Sequence, residues 1–255
     1  MHRWVIAALI AVAVVGFGYM HPFGDPRAVP AKGSRTLLRG ANIPADAKAV
    51  LVTKCADCHS SETRWPVYAR IAPGSWLIER DIIEARKKMD LSRWEEMPAE
   101  KQEVMMAKII KEAKGGEMPP LQYLVLHWGA ELSKADVQAL SMWGKGAGGS
   151  EATLTGAGDA THGKLVFEKR CSVCHAMETE RGREGPKLAG VFGRRAGSVA
   201  GFAYSAGLKN SGLTWTEADL ERWLSDPDLV VPDSNMDFRV PKAEERRDLI
   251  AYLKQ

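Results

Sequence analysis

Residues 55–59 read Cys55-Ala56-Asp57-Cys58-His59, and residues 171–175 read Cys171-Ser172-Val173-Cys174-His175. These hold all four cysteines of the chain, and each pair is followed at once by a histidine. Cys-x-x-Cys-His is the attachment signature of c-type haem. The spacing has a chemical reason. Two thiols three positions apart can form thioethers to the two vinyl edges of one porphyrin, and the adjacent histidine supplies the proximal nitrogen to iron. A four-cysteine zinc site brings its pairs much closer than the 113 positions from Cys58 to Cys171. A thioredoxin-like dithiol needs a βαβ context, which is missing. The expectation is two covalently bound c-type haems. Cys55, Cys58, Cys171 and Cys174 attach them, and His59 and His175 ligate their irons.

Outward from these motifs the pattern is helical. Leu77, Ile78, Ile82, Ile83 and Met89 recur at helical spacing within 76–89. Val104, Met105, Lys108, Ile109 and Glu112 belong to a second helix, ended by Gly115-Gly116. Ser133-Lys134-Ala135-Asp136 reads as a capping box opening a third. Further helices are expected at 163–170, 217–224 and 243–254, and the alternation of a β domain is absent. Residues 144–161, GKGAGGSEATLTGAGDAT, hold six glycines in eighteen positions and no aromatic, which marks a flexible linker. The fold class expected is all-α: two small helical haem domains in tandem, 45–143 and 162–255, behind an N-terminal hydrophobic helix. A domain of about 100 residues buries a small core, so a haem serves each as its apolar centre. Trp65, Trp76, Trp94, Trp128 and Trp143 read as packing around the first haem.

The 255 residues are 45% hydrophobic and 26% charged, which excludes disordered and fibrous classes. The net charge of +3 is concentrated at the start: residues 1–40 carry five basic side chains against Asp25. Residues 41–143 hold 14 basic and 15 acidic side chains, and 156–255 hold 15 of each. No basic stripe supports a nucleic-acid partner. Residues 4–20, WVIAALIAVAVVGFGYM, are seventeen residues without a charge. That length lies between a secretory h-region and a spanning helix. Residues 1–22 therefore read as a signal anchor or a cleaved signal peptide, the cleavage sites near 18 and 31 being poor. Residues 23–44, rich in Pro, Gly and Arg, read as a tether. Either way the chain is exported, to the periplasmic side of a bacterial cytoplasmic membrane.

The second half carries a specific resemblance. Residues 185–215, GPKLAGVFGRRAGSVAGFAYSAGLKNSGLTW, then LERWLSDP, VPDSNMDF and DLIAYLK, closely resemble mitochondrial-type (class I) cytochrome c. The resemblance covers essentially all of 163–255. It implies that Gly163 and Phe167 lie on a first helix packed against Leu249 and Tyr252 of the last. It implies that the Pro186 carbonyl orients His175, that Arg194, Tyr204 and Trp215 bond the haem propionates, and that Met236 is the distal sulfur ligand. Two residues depart from the pattern. Trp223 stands where mitochondrial members have a tyrosine near the ligand sulfur, and Leu208 replaces an internal asparagine. The family's ring of lysines is also missing. Only Arg170 and Lys242 keep charge there, while Asp226, Asp228, Asp233 and Asp237 crowd Met236, so a neutral or acidic haem edge is expected.

The first half resembles another family, the bacterial membrane-anchored haem-binding domain. The matching text is CADCHSSETRWPVYARIAPGSWLIERDI from residue 55 and GGEMPPLQYLVLH from residue 115. The distal ligand of this haem is open between residues. Met118 lies 59 residues after His59, with prolines behind it that hold the backbone extended. His127, 68 residues after His59, is the rival. An open iron site is the third alternative.

Together these readings imply a di-haem c-type cytochrome that carries single electrons between periplasmic or membrane redox partners by Fe(III)/Fe(II) cycling, rather than an enzyme. His/Met ligation raises the potential and fills both axial sites, which suits transfer. The partners expected are redox proteins of the respiratory chain or a periplasmic dehydrogenase, with the membrane reached through the N-terminal helix. A cytochrome subunit held on such a dehydrogenase is the first rival, which genomic neighbours discriminate. A di-haem peroxidase, which needs a five-coordinate iron, is the second, and peroxide turnover discriminates it.

Overall fold

The structure is a computed structural model describing residues 5–6, 16, 20–28, 37–146, 156–179, 182–232 and 234–255. Most of the apolar run 4–20, expected as an N-terminal hydrophobic helix, lies outside the described residues, as do residues 147–155 of the glycine-rich stretch. Among the described residues no helix is long and apolar enough to cross a membrane. Their one extended pairing is a single antiparallel bridge between Arg195 and Thr214, so the fold is helical, as expected.

Two compact units divide between Glu96 and Met97. Residues 97–146 pack with the C-terminal part, for reasons of apolar contact and charge described below.

In the first unit α1 (Ala45–Val50) runs through a π-helical turn (Leu51–Cys55) into α2 (Ala56–His59). The wider turn sets the orientation of the residues that follow it, a device common at functional sites. α3 (Gly74–Lys88) packs on α2. Leu51, Ala56, Ile82, Leu91 and Trp94 are buried in this unit. Arg86 of α3 donates to the Ser60 carbonyl at 2.8 Å and to Thr63 Oγ1 at 3.0 Å, fixing the chain just beyond His59. Glu79, fully buried on α3, accepts from Arg27 at 2.5 Å and lies 3.0 Å from His21, which ties residues 20–28 down.

The second unit contains α4 (Ala99–Gly115), α5 (Leu121–Leu124), α6 (Lys134–Gly146), α7 (Ala160–Val166), α8 (Ala206–Asn210), α9 (Glu217–Ser225), α10 (Pro227–Val230) and α11 (Ala243–Leu253). α4 ends where expected. Gly116 takes the left-handed conformation at φ +71, and the Glu117 and Gly116 N–H groups return to the Glu112 and Ala113 carbonyls. The capping box at α6 is present: Asp136 N–H donates to Ser133 Oγ at 3.1 Å, and Ser133 N–H to Asp136 Oδ2 at 2.8 Å.

α7 crosses α11 at Gly163. A Cβ there would lie 2.0 Å from the Asp248 carbonyl oxygen, so only glycine permits the approach. Asp248 reinforces the crossing by accepting from the Asp159 N–H at 2.9 Å and pairing with His162 at 2.8 Å. Phe167 meets Tyr252 with ring centroids 5.6 Å apart. Val166, Trp215, Leu220, Trp223, Leu249 and Ile250 belong to the core behind that pair. α7 continues into a second π-helical turn (Phe167–Cys171), so both motifs are entered by the same local device.

Candidate haem-attachment sites

In the first unit the π-helical turn ends on Cys55, and α2 carries Cys58 and His59. His59 Nδ1 lies 3.1 Å from the Ala85 carbonyl and 3.2 Å from that of Met89, at the C-terminal end of α3. The N–H therefore donates to backbone, and Nε2 is the nitrogen left with its lone pair. Burial lowers the His59 pKa and keeps the imidazole neutral, the form that ligates metal. Burial, helped by Asp57 and Asp81, pushes the Cys58 thiol up to about 11. A redox dithiol needs the opposite shift.

The second site repeats this logic with a fuller enclosure. His175 Nδ1 donates to the Pro186 carbonyl at 2.7 Å, the arrangement the resemblance implied for Pro186. Gly185 makes room for the ring. A Cβ there would stand 2.4 Å from His175 Cε1. Burial lowers the His175 pKa and pushes Cys171 up to about 12, with Cys174 raised too. A cavity of about 420 Å³ lies beside these groups, and Cys171, Cys174, His175 and Met236 all line it. Arg194, Tyr204 and Trp215 line it as well. The Arg194 guanidinium is steadied by the Lys187 and Ala189 carbonyls, each at 2.9 Å. The donor set, the neutral imidazoles and the glycine-cleared space all fit a covalently attached haem.

Met236 faces the same cavity, and the Trp223 indole N–H donates to its sulfur at 3.2 Å. Trp223 also meets Trp215 edge-on, with centroids 5.0 Å apart. The departure from tyrosine at this position thus keeps a donor on the sulfur. Leu208 lines the cavity too and packs against the core.

The rival distal residues of the first haem, Met118 and His127, both lie in the second unit, whereas His59 lies in the first. Met118 is partly exposed between α4 and α5. His127 stacks on Tyr123, with centroids 3.8 Å apart, and its Nδ1 lies 2.9 Å from the Tyr123 carbonyl. Trp94 is buried in the first unit and Trp143 in the second, while Trp128 is 92% exposed, so the five tryptophans do not gather around one site.

Of the four aspartates expected to crowd Met236, Asp233 lies outside the described residues and the other three are paired. Asp226 and Asp228 pair with the buried Arg239 at 2.6 and 3.3 Å, and Asp228 and Asp237 pair with Lys114 of α4. Arg170 is buried against Glu245 at 2.8 Å. These charges are internally matched rather than presented to solvent. Sequence reasoning missed α4 as a wall of this cavity, to which Val104, Ala107, Lys108 and Lys111 contribute. The signal available was the lysine series 108, 111 and 114, set against Glu184, Asp228 and Asp237.

Two protein families match this chain. Residues 12–146 match the haem-binding domain family, and residues 160–255 match cytochrome c. Over 101 residues the chain is 46% identical to a cytochrome c of Chlamydomonas reinhardtii, spanning 39% of this chain and 90% of that protein. Over 99 residues it is 46% identical to cytochrome c2 of Blastochloris viridis, spanning 38% and 77%. Among solved structures, cytochrome cH from Methylobacterium extorquens is 44% identical and covers 38% of this chain and 98% of that one, with a TM-score of 0.36. With two attachment motifs, each backed by a histidine fixed on backbone carbonyls, the chain belongs to the haem-binding domain family through residues 12–146 and to the cytochrome c family through residues 160–255.

Proposed function

We propose that this protein is a di-haem c-type cytochrome that carries single electrons outside the cytoplasm. Membership of the cytochrome c family implies electron transfer through haem iron. The finer reading adds a second haem at Cys55, Cys58 and His59, a periplasmic setting with residues 1–22 as anchor or signal, and partners among respiratory redox proteins or a periplasmic dehydrogenase. The observation that carries it is the shared construction of the two motifs. Each is entered through a π-helical turn, and each histidine donates Nδ1–H to a backbone carbonyl.

The chain's own residues do the following work. Cys171 and Cys174 would hold the group by thioether bonds, and Cys55 and Cys58 would do the same in the first unit. The Pro186 carbonyl, and those of Ala85 and Met89, keep each imidazole in one tautomer and raise its basicity. Trp223 holds the Met236 sulfur by its N–H. Arg194, Tyr204 and Trp215 stand where propionates would be bonded. When bound, haem supplies one-electron Fe(III)/Fe(II) exchange without bond-making on a substrate. Met118 is proposed as the distal ligand of the first haem, with His127 the alternative.

A potentiometric titration of the exported holoprotein tests the reading. The expected result is two one-electron components and no carbon monoxide binding at either reduced iron. One component, or rapid carbon monoxide binding together with peroxide turnover, would favour a mono-haem carrier or a peroxidase instead.

A further inference from the structure

α4 presents one charged face to the cytochrome c segment. Val104 and Ala107 are buried on it, and Glu103, Lys108, Lys111 and Lys114 flank them at three- and four-residue spacings. Each of the four meets an opposite charge. Glu103 lies 3.4 Å from Arg170, next to the attachment cysteine Cys171. Lys108 and Lys111 take one oxygen each of Glu184, at 2.7 and 3.2 Å, and Glu184 adjoins the glycine that clears room for His175. Lys114 bonds Asp237, next to Met236, and lies 3.5 Å from Asp228. The cytochrome c family match begins at residue 160, so α4 is outside it, yet α4 closes one side of that family's cavity.

We propose that α4 is a resident docking partner of the cytochrome c domain. It occupies in cis the acidic face formed by Glu184, Asp228 and Asp237, so a basic redox protein reaches that face only when the lysine contacts open. The inference rests on the electron-carrier reading above. The acids under α4 are complementary to lysines, and an external partner with a basic face competes for the same carboxylates. The contacts to Glu184 are partly exposed and weaken with salt. Lys114 meets a carboxylate that is 1% exposed, and withdrawing the lysine leaves a buried charge uncompensated, which favours the closed arrangement.

The test uses the full-length holoprotein and two reductants, ascorbate and a basic blue-copper protein, in stopped flow, together with hydrogen exchange of residues 99–115. In Lys108→Glu/Lys111→Glu, α4 amides should exchange faster and the blue-copper rate should rise about tenfold or more, as expected when charged surfaces become accessible. The ascorbate rate should rise much less than the blue-copper rate, because a small reagent depends less on a protein-sized opening. Adding Glu184→Lys should return both readings to the parent values. Raising salt on the unmodified protein gives the exchange measurement independently of any variant's folding, and α4 exchange should accelerate. Unchanged α4 exchange in both the variant and high salt would overturn the proposal. So would released α4 with an unchanged blue-copper rate while ascorbate still reduces the haems. Failure of ascorbate to reduce either haem would instead overturn the electron-carrier reading on which the proposal rests.

Discussion

The Trp223 N–H on Met236 is a single hydrogen bond with a measurable consequence. A donor at 3.2 Å withdraws electron density from the sulfur and disfavours the oxidised metal it would ligate. Trp223→Phe keeps most of the ring packing against Trp215 and deletes only the donor. The potential of the C-terminal haem should fall by up to ~40 mV, the one-electron equivalent of a bond worth ~1 kcal/mol. Redox titration with the other haem as internal reference checks this. Met118→Ala should lower the potential of the first haem and open its reduced iron to carbon monoxide, leaving the Met236 site intact, while His127→Ala should do neither. The reverse pattern would assign His127. At this scale the cysteines and histidines are legible in the sequence, because their spacing is the chemistry itself. The Trp223 bond is not. Its partner lies 13 positions away and meets it only because α9 and the Met236 loop fold onto one cavity.

The crossing of α7 and α11 hangs on Asp248 as well as on Gly163. Burial pushes the Asp248 pKa up, but the Asp159 N–H, His162 and Arg247 outweigh it and hold the carboxyl below its usual value. A carboxylate whose folded pKa is depressed stabilises fully above its ordinary value near ~4 and loses that contribution as pH falls through the lower folded value. Asp248→Asn should therefore cost ~1–3 kcal/mol at neutral pH and flatten the fall in stability below about pH 4. Chemical denaturation across that range measures both. Most helices are legible at this scale, since apolar periodicity and the stop at Gly115-Gly116 read directly from the chain. What α4 covers is not legible. Periodicity reports which face is apolar but not the element that face meets, and the opposing acids follow their α4 lysines by 73 to 123 positions.

Over the whole molecule, the two motifs and the glycine-rich stretch correspond to two family matches, 12–146 and 160–255. The glycine-rich stretch is a change in sequence character, whereas the division at Glu96 and Met97 follows contacts that only the folded chain reveals. Each domain is small enough to depend on its haem, since a ligand held only by the folded state stabilises that state. Replacing Cys171 and Cys174 together by Ala should leave one haem and a protease-sensitive region from about residue 160 onward. A compact, protected C-terminal region without haem would show that its apolar core suffices alone. The central claim is that both Cys-x-x-Cys-His motifs carry haem, and the mass of the intact denatured protein, exported by cells with a c-type haem maturation system, tests it most directly. Haem on both motifs gives the polypeptide plus two covalently attached haems, falling to one when either cysteine pair is replaced by alanine; a single haem increment on the unmodified protein would exclude it.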